Sequence, residues 1–359
     1  MKQSHSSPAQ DPTPSPARFA TPAAIQVGVI GYGGTWNMGR THLNEMKKAG
    51  MTPTAVCELD PARLALAPDD FPGIQTCQSV DELLSQSEVN LVAIITPHDT
   101  HAELALQCLA AGRHVVCEKP FAITTAECDA MIRTAKERNL LVSAYHNRHW
   151  DGWIMKAVEI LRAGDISTVV RVEARLGNYG KPQATWRGSR SHSGGILYDW
   201  GVHFLEYALQ LTGSSGITEV SGYAHNGFWE NGSPWGADTI EDEAEAVVRF
   251  QDGRRIRLLI SQVESLPRRG FLEVTGTTGS MVLDWDAVEV TTHDGPKRIT
   301  IRHPNPENEW WRFYANIADH LTSGAPLVIT GEWARLPVQI IDLASQSARA
   351  GFALRVPEP

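Results

Sequence analysis

An aspartate and a histidine lie four positions apart in the middle of the chain, at Asp199 and His203. Apolar residues around them recur with helical spacing, so we predict one helix over residues 193–206 in which both side chains share a face. A carboxylate beside an imidazole can orient the ring and keep its basicity near neutrality, as proton abstraction from an alcohol requires. Glu206 lies on the same side, facing either a cleft or solvent, and an ordinary polar surface helix is the alternative.

A glycine-rich stretch follows the first apolar run, residues 25–30, and precedes a helical pattern. Strand, glycine turn and helix is the order of a dinucleotide site, because glycines let the backbone approach a pyrophosphate and the helix N-terminus offers free N–H groups. The last glycine comes later than in Gly-x-Gly-x-x-Gly, and a tight turn without a ligand is the alternative. The candidate cofactor contacts here are Gly31, Gly33, Gly34, Thr35, Trp36, Asn37, Met38 and Gly39.

An acidic residue, Glu58, ends the second predicted strand, residues 54–58. A carboxylate at this position accepts hydrogen bonds from the adenosine ribose and repels a 2′-phosphate, so NAD is favoured over NADP. A solvated carboxylate at a strand end is the alternative.

Further strands and helices alternate through the first half, with apolar runs at 91–96 and 114–117 separated by a helix over 101–111. Runs that are apolar on both faces predict a parallel sheet covered on both sides, with ligands beyond the carboxyl ends of its strands. Two segments occupy that position, 96–101 and 118–120. Lys119, next to a buried strand, could hydrogen-bond a substrate hydroxyl and help it ionise. An exposed turn lysine is the alternative.

Two histidine pairs, His98 with His101 and His146 with His149, raise the question of a metal. Neither pair has a carboxylate or cysteine at a recognisable metal-ligand spacing, so no metal site is predicted.

Composition limits the class of protein. A length of 359 residues allows two domains, and the net charge of −9 comes without a block of lysine and arginine, which argues against nucleic acid or an anionic membrane as partner. Five cysteines without a Cys-x-x-Cys pair indicate a reducing compartment. Residues 1–24 are rich in Pro, Ser, Gln and Thr and are predicted to be a disordered tail, and no apolar run is long enough to span a membrane. The predicted location is the cytoplasm.

Two motifs occur together in the chain: Glu118-Lys119-Pro120 and Gly194-Gly195-x-x-x-Asp199-x-Gly201-x-His203-x-x-Glu206. In this combination the chain resembles the Gfo/Idh/MocA oxidoreductase family over about residues 25–350. The glycine loop, Thr96-Pro97-x-x-x-His101 and Trp186-Arg187 also match. Departures are the longer glycine loop and His98, where many relatives carry a small polar residue.

The resemblance implies an α/β protein: a Rossmann domain over 25–146, then an α/β domain over 147–359 with a large, mostly antiparallel sheet. It implies that Lys119, Asp199 and His203 line the substrate site, that the bond before Pro120 is cis, and that the protein is a homodimer or homotetramer. Further cofactor contacts are expected at Thr96, Pro97, His98, His101, Glu118, Lys119, Trp186 and Arg187. Substrate contacts are expected at Lys119, His146, Arg148, Tyr179, Trp186, His192, Asp199 and His203.

The second half supplies loops around the predicted helix. Residues 177–192 carry aromatic and basic side chains suited to stacking on a sugar ring and binding its hydroxyls, although structural packing explains them equally well. Residues 227–236 are interpreted as an insertion between strands. Four acidic residues, Glu241, Asp242, Glu243 and Glu245, predict an exposed sheet edge.

Together these features predict an NAD-dependent dehydrogenase that oxidises a secondary hydroxyl of a sugar, glycoside or cyclitol. His203 removes the hydroxyl proton, Asp199 steadies its imidazole and Lys119 stabilises the developing alkoxide. Two alternatives remain: glycoside cleavage assisted by transient oxidation, and a non-catalytic sensor of sugar or dinucleotide.

Overall fold

The computed structural model describes residues 18–34, 36–266 and 269–357. The described residues up to Leu91, with Trp311–Val328, form one compact unit; those from Val92 to Trp310 and from Ile329 onward form a second. None of the helices in the described part of the chain is long and apolar enough to cross a membrane.

The first sheet has six parallel strands in the order β3-β2-β1-β4-β5-β6. Its strands are β1 (Gln26–Ile30), β2 (Thr52–Cys57), β3 (Gln75–Cys77), β4 (Leu91–Ile94), β5 (His114–Cys117) and β6 (Val142–Ala144). Every residue of β4 and β5 is buried, as expected of strands covered on both faces. The order in which β1 lies between β2 and β4 is that of a doubly wound Rossmann sheet, so the predicted fold of this half is confirmed.

Helices connect these strands and complete the first half. They are α1 (Met38–Lys48), α2 (Pro61–Leu64), α3 (Ala67–Asp70), α4 (Val80–Gln86), α5 (His101–Ala110) and α6 (Thr125–Glu137). A capping box begins α6, because the Thr124 hydroxyl accepts from the Glu127 backbone N–H while the Glu127 carboxylate accepts from Thr124.

The second sheet has nine strands in the order β14-β13-β12-β11-β7-β10-β9-β8-β15. The described pairings are antiparallel except that of β10 with β7, which is parallel. Its strands are β7 (Val169–Gly177), β8 (Ile217–His225), β9 (Glu243–Phe250), β10 (Arg255–Ser261), β11 (Leu272–Gly276), β12 (Gly279–Leu283), β13 (Ala287–Asp294), β14 (Lys297–Pro304) and β15 (Leu354–Arg355). The predicted second sheet is therefore confirmed.

The helices outside the first half are α7 (Gly152–Ala163), α8 (Arg190–Ser193), α9 (Gly201–Thr212), α10 (Arg312–Ser323) and α11 (Gly331–Ala350). Of the twelve residues of α9, eleven are buried, because the helix packs against β7, β10 and α11. Phe204 stacks on Phe271 with ring centroids 5.8 Å apart, which fixes the buried face of α9. The helix that contains His203 is thus an interior element.

Two expectations change in the structure. The backbone N–H groups of Arg18 and Phe19 donate to the carbonyl of Leu321, and Pro22–Ala24 form a 3-10 turn, so residues 18–24 are ordered and not part of a tail. Residues 1–17 of the predicted tail lie outside the described residues. The acidic stretch is not a sheet edge, because β9 lies between β10 and β8 and Asp242 is buried.

Candidate active site

Lys119 is placed by the end of β5 and by a cis bond to Pro120, as the resemblance implied. Its Nζ donates to the Asp199 Oδ1 at 2.6 Å and to the Asp199 carbonyl oxygen at 3.2 Å. Burial alone would raise the pKa of Asp199, but the charge and hydrogen bond of Lys119 hold that pKa at about 2. Because 35% of the Asp199 side chain is exposed, this ion pair remains accessible to a ligand.

The predicted single helix over 193–206 is wrong. Gly194 and Gly195 have φ angles of 89° and 128°, which interrupt the helix after α8, and only a short 3-10 turn precedes α9. Asp199 therefore lies ahead of the helix that contains His203. Its carboxylate pairs with Lys119 and not with the His203 ring, so the prediction that Asp199 orients this ring is wrong.

His203 lies in the first turn of α9 and is 5% exposed. Burial, followed by the positive charges of Lys119 and Arg148, puts the pKa of His203 well below 6.5, so the ring is neutral at neutral pH. Its Nδ1 is buried without a hydrogen-bond partner among the described residues, and so is the Nδ1 of His146. These two rings meet edge to face with centroids 6.2 Å apart. We call Lys119, Asp199 and His203 the Lys119 cluster.

Trp186 and Arg187 extend this cluster from the loop before α8. The Arg187 guanidinium lies over the Trp186 ring at 4.4 Å, and its Nε is 3.9 Å from the Asp199 Oδ2. His98 packs against Trp186 with centroids 4.6 Å apart, and its Nδ1 is 2.8 Å from the Ser193 carbonyl oxygen. The structure thus brings the predicted contacts Trp186, Arg187 and His98 to the Lys119 cluster.

His101 and Glu118 have supporting roles. The two ring nitrogens of His101 lie 2.8 Å from the Pro120 carbonyl oxygen and 3.0 Å from that of Thr96, so this fully buried ring holds the segment after β4 next to the segment after β5. The Glu118 carboxylate accepts from the Lys119 backbone N–H at 2.8 Å. Pro97 precedes the 3-10 turn His98–Thr100, and its carbonyl accepts from Thr100 Oγ1.

The segment after β6 contributes basic side chains. The Arg148 guanidinium lies 4.8 Å from the centroid of the Trp200 ring, which itself packs against His203 at 5.8 Å. His149 Nδ1 is 2.5 Å from the Glu206 Oε1. Glu206 is 1% exposed, so it faces neither the cleft nor the solvent that the sequence suggested.

Two further substrate-contact candidates lie at the loop 177–192. His192 Nδ1 is 2.8 Å from the Asp99 Oδ2, and 46% of the His192 side chain is exposed. Tyr179 has its ring contacts with Phe228 and Trp229 of the insertion. In the structure Tyr179 therefore packs against the insertion, and a contact between Tyr179 and a substrate stays a prediction.

The glycine loop of the first unit has the backbone that a dinucleotide requires. Gly31 and Gly33 have φ angles of 101° and 65°, and a Cβ on Gly39 would lie 2.5 Å from the Gly31 carbonyl oxygen. The Asn37 side chain accepts from the backbone N–H groups of Gly33 and Arg40 at the N-terminus of α1. Helix and loop can therefore accommodate a pyrophosphate. The other predicted contacts of this loop differ in their surroundings. Trp36 is 62% exposed, a Cβ added at Gly34 would meet open space, and Met38 is the first residue of α1. Thr35 lies outside the described residues.

Glu58 stands directly after β2, where the sequence placed it. Its Oε2 accepts from the Tyr32 backbone N–H at 2.8 Å, and its Oε1 accepts from the Asp60 backbone N–H at 3.0 Å. The carboxylate is thus fixed beside the glycine loop, with acceptor capacity left for a diol because each oxygen has two lone pairs.

Sequence reasoning missed Asp151, which lies next to the basic segment 146–149. The residue occupies the N-cap position of α7, where a helix cap is the obvious interpretation. Its side chain makes no capping hydrogen bond and is instead buried among the site's supporting residues. No sequence pattern indicates that Asp151 is buried, because its spatial neighbours cannot be read from the sequence.

The first sheet is doubly wound and has a glycine loop after β1, and the lysine that follows β5 pairs with an aspartate just ahead of the helix that contains His203. Together these features define an oxidoreductase with a nucleotide cofactor. The chain belongs to the Gfo/Idh/MocA oxidoreductase family. Residues 25–146 match the family's model "Oxidoreductase family, NAD-binding Rossmann fold", and residues 154–282 match "GFO/IDH/MocA C-terminal domain".

Similar proteins extend over nearly the whole chain. The scyllo-inositol 2-dehydrogenase (NADP(+)) IolW of Bacillus subtilis is 25% identical over 90% of this chain and 94% of its own length. An NAD-binding protein from Listeria innocua has a structure with a TM-score of 0.79 at 25% identity, covering 94% of this chain and 98% of its own. A levoglucosan dehydrogenase in complex with NADH and levoglucosan has a TM-score of 0.78 at 21% identity, covering 93% and 100%, and shares the fold.

Proposed function

We propose that this protein is an NAD-dependent dehydrogenase that oxidises a secondary hydroxyl of a sugar, glycoside or cyclitol. The observation that carries the proposal is the Lys119 cluster: an ammonium held by a carboxylate at 2.6 Å, in the electrostatic range of a neutral, buried imidazole. Ionising an alcohol at neutral pH requires a base for the proton and a positive charge for the oxygen, and these groups supply both.

Each residue has one task in this proposal. His203 accepts the hydroxyl proton, because its lowered pKa keeps the ring unprotonated. Lys119 donates a hydrogen bond to the substrate oxygen and stabilises its negative charge, and Asp199 holds the Lys119 ammonium in place through the hydrogen bond between them. The nicotinamide, when bound, supplies the acceptor for the carbinol hydrogen. Both the glycine loop and Lys119 fall within residues 25–146, the part matched as an NAD-binding domain.

The substrate class follows from the polar character of the cluster and from a relative. The Bacillus subtilis protein is named for action on scyllo-inositol, a ring that carries only secondary hydroxyl groups. We propose that the orphaned Nδ1 atoms of His203 and His146 face such hydroxyls, since buried polar atoms normally have partners. His192 and Tyr179 are proposed as outer contacts.

The preferred cofactor is proposed to be NAD. Glu58 places a negative charge beside the loop that would hold the adenosine ribose, which disfavours a 2′-phosphate. The Bacillus subtilis relative is named for NADP, so the preference requires its own measurement.

Location and assembly complete the proposal. The five cysteines all lie in the described part of the chain, are buried and form no disulfide with one another, which supports a reducing compartment, the cytoplasm. A homodimer or homotetramer is proposed from the family resemblance, and sedimentation of the purified protein tests it. The partner of the site is a small carbohydrate or polyol.

The test is the substitution Lys119→Met in the full-length protein. Scyllo-inositol, levoglucosan and a panel of other sugars and cyclitols are offered with NAD, and NADH formation is measured. We expect the wild-type protein to form NADH and Lys119→Met to lose at least about a hundredfold in turnover, because one group that stabilises the developing charge is removed. A thermal shift with NAD alone should be unchanged in the variant.

Other results would select a different function. Undiminished turnover by Lys119→Met refutes the assigned mechanism. Release of an aglycone from a glycoside with no net NADH indicates redox-assisted cleavage. A thermal shift with NAD but no NADH from any member of the panel indicates a sensor.

A further inference from the structure

A completely buried carboxylate, that of Asp151, lies behind the site and takes no part in the mechanism above. Its side chain has 0% exposure and accepts hydrogen bonds from three donors. The Tyr207 hydroxyl donates at 2.5 Å, the Arg148 guanidinium donates at 3.3 Å, and the Trp310 indole N–H donates to the other oxygen. Only a carboxylate can accept from all three, because an asparagine in the same place would offer one acceptor oxygen and turn an amide N–H toward a donor.

The Asp151 carboxylate helps to fix the orientation of the Arg148 guanidinium. Its guanidinium lies over the Trp200 ring at 4.8 Å and over the Trp310 ring at 5.6 Å, so it is fixed by two aromatic faces as well as by Asp151. Trp200 is in turn the ring against which His203 packs. A planar group with five N–H donors is thus fixed near the base, and 25% of its side chain is exposed.

We propose that Asp151 is a positioning residue that acts through Arg148, and that Arg148 presents its remaining N–H donors to adjacent hydroxyl oxygens of the substrate ring beside His203. The inference rests on the proposed function, since it requires a hydroxylated ring at the Lys119 cluster. Asp151 itself touches no substrate in this arrangement. It determines the direction of the guanidinium, and hence which pair of ring oxygens can be bound.

The experiment compares Asp151→Asn, Arg148→Ala and the double variant, with the same panel of sugars and cyclitols as probes, scyllo-inositol and levoglucosan among them, and NAD in excess. For the probe that the wild-type protein oxidises, we expect Asp151→Asn to raise KM about ten- to a hundredfold with kcat changed much less, because binding common to ground state and transition state is lost. Arg148→Ala should raise KM at least as much. The double variant should equal Arg148→Ala alone, because one residue acts through the other.

Tyr207→Phe is the matched control, because it removes one hydrogen bond to Asp151 and leaves carboxylate and arginine in place. It should lower the melting temperature, as we also expect of Asp151→Asn, while KM stays at the wild-type value. An unchanged KM in Asp151→Asn, an equal rise in Tyr207→Phe, or KM effects that multiply in the double variant would each overturn the inference.

The two proposals fail in distinguishable ways. Full turnover by Lys119→Met, or no NADH formation by the wild-type protein from any member of the panel, overturns the proposed function and this inference with it. If the wild-type protein oxidises a probe and Lys119→Met does not, the result with Asp151→Asn decides the inference alone.

Discussion

Two ion pairs lie at opposite ends of one stretch of chain, and they differ in what surrounds them. Asp199, two residues before α9, pairs with Lys119, and about a third of its side chain is exposed. Glu206, inside α9, pairs with His149 and is buried. Its carboxylate also accepts from the Trp333 indole at 3.1 Å and from the Gln210 amide at 3.0 Å.

The difference separates a pair that can react from one that holds structure. The Asp199 pair leaves ammonium and carboxylate within reach of a substrate, and its accessibility limits its contribution to stability to about 1 kcal/mol or less. The Glu206 carboxylate is 1% exposed and accepts from three protein donors, so a ligand cannot reach it, and leaving those buried donors without an acceptor is costly. Turnover should therefore depend on Asp199 and folding stability on Glu206.

Asp199→Asn gives the largest expected effect. Turnover should fall about a hundredfold or more, because Lys119 loses the carboxylate that positions its ammonium for the substrate oxygen. The unfolding free energy should change by about 1 kcal/mol or less. Initial rates of NADH formation and urea unfolding measure the two quantities, and a loss of stability as large as that of Glu206→Gln would erase the distinction.

Glu206→Gln should show the reverse pattern. We expect the unfolding free energy to fall by about 3 kcal/mol, because the buried carboxylate accepts from His149, Gln210 and Trp333, whereas an amide in its place has one acceptor oxygen and turns an N–H toward a donor. Turnover per folded molecule should stay within about threefold of the wild type. Urea unfolding at neutral pH gives the first number, and a drop in turnover comparable to that of Asp199→Asn would contradict the comparison.

The contrast also explains which parts of the site were predictable from the sequence. The turn after β1 and the position of Glu58 at the end of β2 were predictable from the sequence because their requirements are local: positive φ at Gly31 and Gly33, and a strand that ends at Cys57. The partner of Asp199 was not predictable by helical spacing, because Lys119 lies 80 positions away and the helix is broken at Gly194 and Gly195. Lys119 was recognised through a family motif, while its pairing required the fold.

Burial was the second property that sequence patterns did not supply. Charged residues such as Glu206 and Asp242 were expected at surfaces, but Asp242 accepts from the backbone N–H groups of Phe228 and Trp229 and so anchors the insertion. Glu206 and Asp242 are buried by contacts with residues distant in the sequence, which no local pattern reveals. The parallel sheet, in contrast, was predictable because its strands are apolar throughout.

Acidification should lower the folding stability of the protein through its buried histidines. Burial lowers the pKa of His146 from 6.5 to about 4, so the unfolded chain binds a proton in this range that the folded protein does not. Stability contributed by the neutral ring is present above pH 6.5 and is lost as the pH falls toward 4, by about 3 kcal/mol. Burial shifts the pKa of His98 and His203 in the same direction.

Unfolding by urea at a series of pH values between neutrality and pH 4 measures this loss. In His146→Gln the free energy should fall less steeply with decreasing pH than in the wild type, whatever its value at neutral pH. His192→Gln is the control, because 46% of its side chain is exposed and its removal leaves the buried rings unchanged. An identical slope in wild type and His146→Gln would show that this ring binds its proton in both states.

Glu58 extends the comparison to a carboxylate that accepts from backbone N–H groups, and its removal should have the smallest effect. Glu58→Gln keeps an acceptor for the Tyr32 N–H but loses the charge, so the ratio of kcat/KM with NADP to that with NAD should rise about tenfold, or about 1.4 kcal/mol. Asp60→Asn is the control, because that carboxylate caps α2. Since the charge of Glu58 is what repels a 2′-phosphate, an unchanged ratio in Glu58→Gln, or an equal rise in Asp60→Asn, would mean that cofactor choice is made by other residues of the first unit.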